Sequence, residues 1–276
     1  MKSIAFDYQL PPTAADAVRL LKAGDGMGKV VAGSQSLGPM MNLRLVQPEQ
    51  LVDVRRLPEL NQVQDLADSV VLGAATTHAA IEDGRVPDAS AGLMPFVARG
   101  IAYRAVRNRG TLGGSLAHAD PAADWVNVMA LLDADIMLLG PEGERTVKAD
   151  GFMLGAFTTH LAEDELICAV RIPKVSSQAR WSYYKFNRKT GEFAEAIAAF
   201  MDDPVRGVRR AIIGAVDGPP LVIEQAGGLI DGWDDELAKP WLLAAGIEAD
   251  SYEYHTHLVA LRRAAQQLSR LPGASL

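Results

Sequence analysis

Lys29-Val30-Val31-Ala32-Gly33-Ser34-Gln35-Ser36 runs from a short β-branched strand into a turn of small residues. A brief helical stretch follows around Leu37 to Leu43, and Gln50-Leu51-Val52-Asp53-Val54 reads as a second strand. Upstream, Thr13 stands where an N-cap is needed, Ala14, Ala17, Val18 and Leu21 share one helical face, and Gly24 ends the run. The pattern predicts a β-α-β unit whose turn of small residues opens at a strand end.

Working outward, Ser69 to Ala74 reads as a strand and Thr76 to Glu82 as a capped helix start. Asp120-Pro121 pairs a capping residue with proline at a first helical position, so a helix is expected from there to about Asp133. Ala134 to Leu139 and Arg145 to Lys148, around Gly140-Pro141-Glu142-Gly143, form a hairpin. Beyond Ile172-Pro173-Lys174 the pattern changes. Trp181 to Phe186, Ala194 to Met201 and Val208 to Val216 read as antiparallel strands, and Asp234 to Ala245 and Ser251 to Leu271 as helices, the latter with Leu258, Leu261, Ala265 and Leu268 at helical spacing. The fold class is α+β: residues 1–175 in two α/β subdomains (about 1–57 and 58–175), then 176–276 as an antiparallel sheet with helices.

A chain of 276 residues that is 49% hydrophobic has material for a large core. A net charge of −7 argues against nucleic acid as a partner. No run has the length and apolarity of a transmembrane segment, and the start carries no basic end with an apolar stretch behind it, so the expected location is cytoplasmic. The single cysteine, Cys168, forms neither an internal disulfide nor an iron–sulfur cluster by itself; in its apolar run it reads as a small buried hydrophobe.

A second stretch of small residues, Thr111-Leu112-Gly113-Gly114-Ser115, is placed just before a helix. Both stretches suit phosphate, because glycine lets the backbone approach a ligand and successive N–H groups and hydroxyls donate to anionic oxygens without a basic side chain. Taken alone, each is equally readable as an ordinary turn. Neither Gly-x-Gly-x-x-Gly nor Gly-x-x-x-x-Gly-Lys-Ser/Thr occurs at them, which disfavours a standard nicotinamide or nucleoside-triphosphatase site.

Read at length, the first stretch continues as Pro39-Met40-Met41-Asn42-Leu43-Arg44-Leu45, and the second runs from Arg107-Asn108-Arg109-Gly110 to His118-Ala119-Asp120-Pro121-Ala122-Ala123-Asp124. This pair resembles the FAD-binding subunit of molybdenum hydroxylases: the medium subunits of carbon monoxide dehydrogenase and N-heterocycle dehydrogenases, and more distantly the flavin domain of xanthine dehydrogenase. Gly155-Ala156-Phe157-Thr158-Thr159, Arg171-Ile172-Pro173, Lys185-Phe186-Asn187-Arg188 and Ser251-Tyr252-Glu253-Tyr254 extend the resemblance over nearly the whole chain. It implies an FAD-binding PCMH-type domain followed by a C-terminal domain of the carbon monoxide dehydrogenase flavoprotein type, with FAD bound non-covalently.

By the same resemblance, Ala32, Gly33, Ser34, Gln35 and Ser36 with Thr111, Leu112, Gly113, Gly114 and Ser115 would hold the pyrophosphate and ribityl region. Asp124 would accept a hydrogen bond from the cofactor, and Ile167 and Lys185 would lie beside the flavin ring. The implied partners are a small subunit with [2Fe-2S] clusters and a large subunit with the molybdenum cofactor, as a dimer of heterotrimers that passes electrons through FAD to an external acceptor. A stand-alone flavin oxidoreductase and a non-catalytic interaction module with a degenerate flavin fold are the alternatives.

Two positions depart from the family pattern: Ser34, where two adjacent glycines are usual, and Phe193, where some relatives carry tyrosine. Valine at Gly113 or Gly114 is expected to block FAD and leave the fold largely intact. His118 and His160 lack ligand spacing, so no metal site is expected, and no residue reads as a nucleophile or general base. Asp120 is expected to cap its helix, Arg107 and Arg109 to support the second stretch or contact another subunit, and His255 and His257, two residues apart, to be solvated or interfacial.

Overall fold

The computed structural model describes residues 2–271. The first unit contains β1 (Asp7–Gln9), α1 (Ala14–Ala23), β2 (Gly28–Val31), α2 (Leu37–Asn42) and β3 (Gln50–Asp53). Its three strands form a parallel sheet in the order β1-β3-β2. Thr13 accepts a hydrogen bond from the Asp16 amide at the start of α1, whose buried residues are Ala14, Ala17, Val18 and Leu21. Strand β1 escaped sequence reading because three largely exposed residues carry no periodic signal; parallel pairing with β3 is what orders them.

The second unit contains β4 (Val63–Asp65), β5 (Ser69–Gly73), α3 (His78–Glu82), α4 (Leu93–Arg99), α5 (Arg104–Arg107), α6 (Leu112–His118) and α7 (Asp124–Leu131). After these come β6 (Asp135–Gly140), β7 (Gly143–Lys148), β8 (Met153–Gly155), β9 (Thr158–Thr159) and β10 (Leu166–Pro173). An antiparallel sheet in the order β4-β5-β10-β6-β7 forms its base, and β6–β7 is the hairpin that the sequence predicts, closed at Gly140 and Gly143. The helix expected from Asp120 begins at Asp124 instead. Ala119, at φ 48°, ends α6 in the left-handed region, and Asp120 spends its carboxylate on the Ala122 amide at 2.9 Å, capping a turn rather than the helix.

The last unit contains β11 (Arg180–Phe186), β12 (Ala196–Asp203), β13 (Val208–Gly214) and β14 (Leu221–Ile223), an antiparallel sheet in that order, then α8 (Gly227–Asp231), α9 (Asp235–Ala244) and α10 (Tyr252–Ser269). All eight residues of β12 are buried. Side chains alternate across a strand, so Ala196, Ala198 and Phe200 enter a core shared with α10, whereas Ile197, Ala199 and Met201 join the main core containing α7. The apolar interior is therefore continuous across the change of pattern near residue 175. His257 on α10 is buried and not solvated: its Nε2 lies 3.1 Å from the Gly214 carbonyl and its Nδ1 2.8 Å from that of Glu253. Of the two histidines expected to be solvated or interfacial, only His255 is exposed.

Candidate flavin site

The first small-residue stretch leaves the carboxyl end of β2, the edge at which parallel sheets commonly present ligands. Gly33 is buried there, and a Cβ added to it would lie 2.1 Å from the Arg109 carbonyl oxygen and 2.7 Å from the Gly110 Cα. No side chain fits. The two stretches are thus pressed together backbone to backbone. Ser34 follows at φ 58°, a left-handed conformation that glycine adopts freely and serine does not. This is the geometric content of the departure at that position. Gln35 donates to the Gly33 carbonyl at 2.9 Å, while the amides of Ser34, Gln35, Ser36 and Leu37 meet no acceptor among the described residues.

The second stretch is built differently. Residues 111–115 are not a loop before a helix; they are the cap and first turn of α6. Thr111 Oγ1 accepts from the Gly114 amide at 3.1 Å, Leu112 donates to the Thr76 carbonyl and Gly113 to that of Ala74, each at 2.9 Å, and the Ser115 amide bonds Thr111 at 3.0 Å. Gly113 is glycine because a Cβ there would lie 2.5 Å from the Ala74 Cβ, which seats the helix on the end of β5. The expectation that valine at Gly113 leaves the fold intact is accordingly wrong: the collision is with the sheet. At Gly114, which is exposed, an added Cβ meets only Thr111 Oγ1.

Arg107 holds this region from behind. Its guanidinium bonds Glu82 and donates to the Ile101 and Ala102 carbonyls at 3.0 Å, while Arg109 stays exposed. Arg107 and Arg104 together keep the Glu82 carboxyl below its ordinary range.

Asp124, the first residue of α7, is 6% exposed and receives two hydrogen bonds, from the Tyr183 hydroxyl at 2.7 Å and from Lys185 Nζ at 2.8 Å. Tyr183 and Lys185 are two apart on β11 and share a face, so the last unit reaches across to the second through this carboxylate. Burial, then the Asp124 charge, raises the Tyr183 hydroxyl well above its usual value, so it remains a donor. Sequence reading found Asp124 and Lys185 but not Tyr183, which carries no local signal of its own.

Ile167, expected beside the flavin ring, has its side chain in the main core, at a bulge in β10 where the register shifts between Ile167 and Ala169. Its neighbour Cys168 is half-buried rather than fully buried, and burial pushes its thiol up to about 11, so it is no thiolate nucleophile at neutral pH. The Cys168 carbonyl accepts from the Ala74 amide at 2.8 Å, placing this bulge directly beneath Gly113. Phe193 is exposed, and so is Phe157, whose ring packs against His118 with centroids 5.1 Å apart. Burial lowers the His118 imidazole.

A surface hollow of about 300 Å³ bordered by Lys22, Glu142, Arg145 and Glu165 contains none of these residues. Among the described residues, no three histidine, cysteine or acidic side chains are grouped to hold a metal, and no helix is long and apolar enough to cross a membrane.

Residues 4–175 match the family model described as the FAD binding domain in molybdopterin dehydrogenase. The chain is 38% identical to the carbon monoxide dehydrogenase medium chain of Hydrogenophaga pseudoflava over 81% of its own length and 78% of that protein's. It is 36% identical to the corresponding chain of Afipia carboxidovorans over 95% and 96%. The nicotine 6-hydroxylase medium subunit of Paenarthrobacter nicotinovorans matches at 38% identity over 78% and 77%. Among solved structures, carbon monoxide dehydrogenase from Hydrogenophaga pseudoflava superposes with a TM-score of 0.88 at 33% identity, covering 97% of this chain and 98% of that one. Quinoline 2-oxidoreductase from Pseudomonas putida 86 gives 0.84 at 30% identity, covering 99% of each. Whole-length likeness in both sequence and fold, together with a match across both small-residue stretches, identifies the chain as a member of the FAD-binding subunits of molybdenum hydroxylases, the flavoprotein component of an oxidoreductase.

Proposed function

We propose that this chain is the electron-transfer subunit of a heterotrimeric molybdenum hydroxylase and that its own task is to bind and orient FAD. The observation that carries the reading is the row of uncommitted amides at Ser34, Gln35, Ser36 and Leu37, beside a glycine that admits no side chain. Such a row meets the needs of a pyrophosphate without a basic residue. It fits an acidic chain.

In this reading, residues 32–36 take the pyrophosphate through backbone N–H groups, and Thr111 and Ser115 contribute hydroxyls from the cap and first turn of α6. Gly113 and Gly114 keep that turn low, and Leu112, fully buried, anchors it. Asp124, fixed by Tyr183 and Lys185, holds an acceptor at the far side, and Lys185 brings a positive charge to the ring end. Ile167 acts through the backbone of its bulge, since its side chain is in the core. FAD, when bound, supplies the redox chemistry: receipt of electrons from [2Fe-2S] clusters of a small partner subunit and their delivery to an external acceptor. The substrate is oxidised at a molybdenum cofactor in a large subunit, and the assembly is a cytoplasmic dimer of heterotrimers.

The division of labour belongs to the same proposal. Residues 1–175, in subdomains of about 1–57 and 58–175, form the cofactor domain, and 176–276 a C-terminal domain that supplies Tyr183 and Lys185; residues 1 and 272–276 lie outside the described structure. The family match over 4–175 supports this boundary.

The test is an absorption spectrum of the purified chain before and after denaturation, with the released cofactor identified by chromatography. Flavin bands, FAD in the released fraction and no iron–sulfur absorption are expected. A colourless chain that takes up no added FAD overturns the reading in favour of an interaction module. Turnover by the isolated chain would favour a stand-alone oxidoreductase.

A further inference from the structure

His78, the first residue of α3, is 6% exposed and is not among the residues expected to touch the cofactor. Its Nδ1 lies 2.9 Å from Trp125 Nε1. An indole nitrogen only donates, so Nδ1 must carry the lone pair and the ring proton sits on Nε2. A charged imidazole would set N–H against N–H, and burial, with Arg107's charge in second place, pushes the group down to about 4.

The other edge of the ring faces Gly110. A Cβ on that glycine would lie 2.7 Å from His78 Nε2 and 2.8 Å from its Cδ2, and the His78 amide donates to the Gly110 carbonyl at 3.0 Å. Gly33 in turn rests on the Arg109–Gly110 peptide, its nearest neighbour being the Arg109 carbonyl and the next the Gly110 Cα. His78, Gly110 and Gly33 therefore form three layers with no side chain between the glycines, and the thickness of the imidazole sets the height of the stretch whose amides are free. On its opposite side the imidazole is tied to Trp125, the immediate neighbour of Asp124.

We propose that His78 is a positioning residue for the cofactor: as the neutral Nε2–H tautomer, bonded to Trp125 and packed under Gly110, it fixes residues 33–37 relative to Asp124 and Lys185. This rests on the flavin reading above and adds to it a residue that touches no part of the ligand. Removing the ring lets Gly110 and Gly33 settle, so the loss falls on ligands that use the pyrophosphate site.

The experiment measures FAD and ADP dissociation constants on the 276-residue chain and its His78→Leu, His78→Asn and Trp125→Phe variants, with a melting temperature for each apo form. ADP probes the adenosine-diphosphate half of the cofactor, pyrophosphate included, without the flavin ring. His78→Leu, which leaves the Trp125 N–H buried and unpaired, is expected to weaken both ligands by about tenfold. His78→Asn, whose side-chain oxygen can accept from Trp125, recovers part of that loss, and Trp125→Phe weakens both without altering residue 78. Equal FAD and ADP affinities across the series, with only the melting temperatures lowered, would show that His78 is merely structural and leave the flavin reading intact. A parent chain that binds neither ligand would remove that reading and this inference together.

Discussion

Residues 32–36 and 111–115 look alike as sequence, short runs of glycine and hydroxyl residues beside a secondary-structure end, yet they have opposite hydrogen-bonding states. From the first into the start of α2, the four successive amides of Ser34 to Leu37 meet no acceptor among the described residues; in the second, the amides of Leu112, Gly113, Gly114 and Ser115 are all consumed within the chain. One offers donors and the other supplies a support for them. Glycine serves both ends, at Gly33 by letting backbone meet backbone and at Gly113 by letting a helix sit on a strand. Similar composition marks close approach; it does not say whether the thing approached is a ligand or the protein itself.

The largest expected effect separates these two uses. Gly33→Ala forces a methyl into the Arg109 carbonyl, where no side chain can be trimmed to relieve it, and is expected to cost about 3 kcal/mol and abolish FAD uptake. Flavin occupancy after purification, read with the unfolding midpoint, checks it, and full occupancy would break the comparison. Next comes the support itself. The folded His78 imidazole titrates at about 4 against an ordinary 6.5, so the folded chain binds fewer protons than the unfolded one in that window. Stability is then fully present above 6.5 and falls as pH drops towards 4, by about 3 kcal/mol. Chemical denaturation at pH 7 and pH 4.5 should show this fall, and the His78→Asn variant should lose that part of it.

Gly113→Val is expected to destabilise by about 2 kcal/mol through its collision with Ala74. Ala74→Gly in the same chain should restore part of the melting temperature, as no second substitution can for Gly33. Failure of that rescue would mean that Gly113 is not held by packing on β5. The smallest effect has the opposite sign. Ser34→Gly relieves a left-handed residue and should stabilise the chain by about 0.5 kcal/mol, the strain relieved being partly offset by glycine's greater freedom when unfolded. FAD affinity should hold or rise; a drop would show that the serine hydroxyl is itself a ligand.

Much of the fold was legible because its signals are local. Thr13 and Ser251 cap the helices their positions predict, the Gly140–Gly143 hairpin closes where expected, and β11 to β13 pair as the antiparallel strands read there, β12 starting two residues later than expected. What escaped depends on contacts distant in the chain. The start of α7 shifted because Asp120 satisfies a turn, His257 is buried because β13 presents a carbonyl to it, and β1 exists only through β3. The same holds for the candidate site. Asp124 and Lys185 were found by resemblance, but Tyr183, Gly110 and His78 gain their meaning from residues 59, 77 and 47 positions away respectively.

The two-faced burial of β12 bears on the order in which the chain is made. When residues 1–175 have left the ribosome, the surface destined for Ile197, Ala199 and Met201 is still bare, and it stays so until more than twenty further residues emerge. An interval of open apolar surface during synthesis is a point at which nascent chains associate wrongly or recruit chaperones. Closing it brings in Tyr183 and Lys185 on the neighbouring strand, so the Asp124 cluster is completed only when that surface is covered.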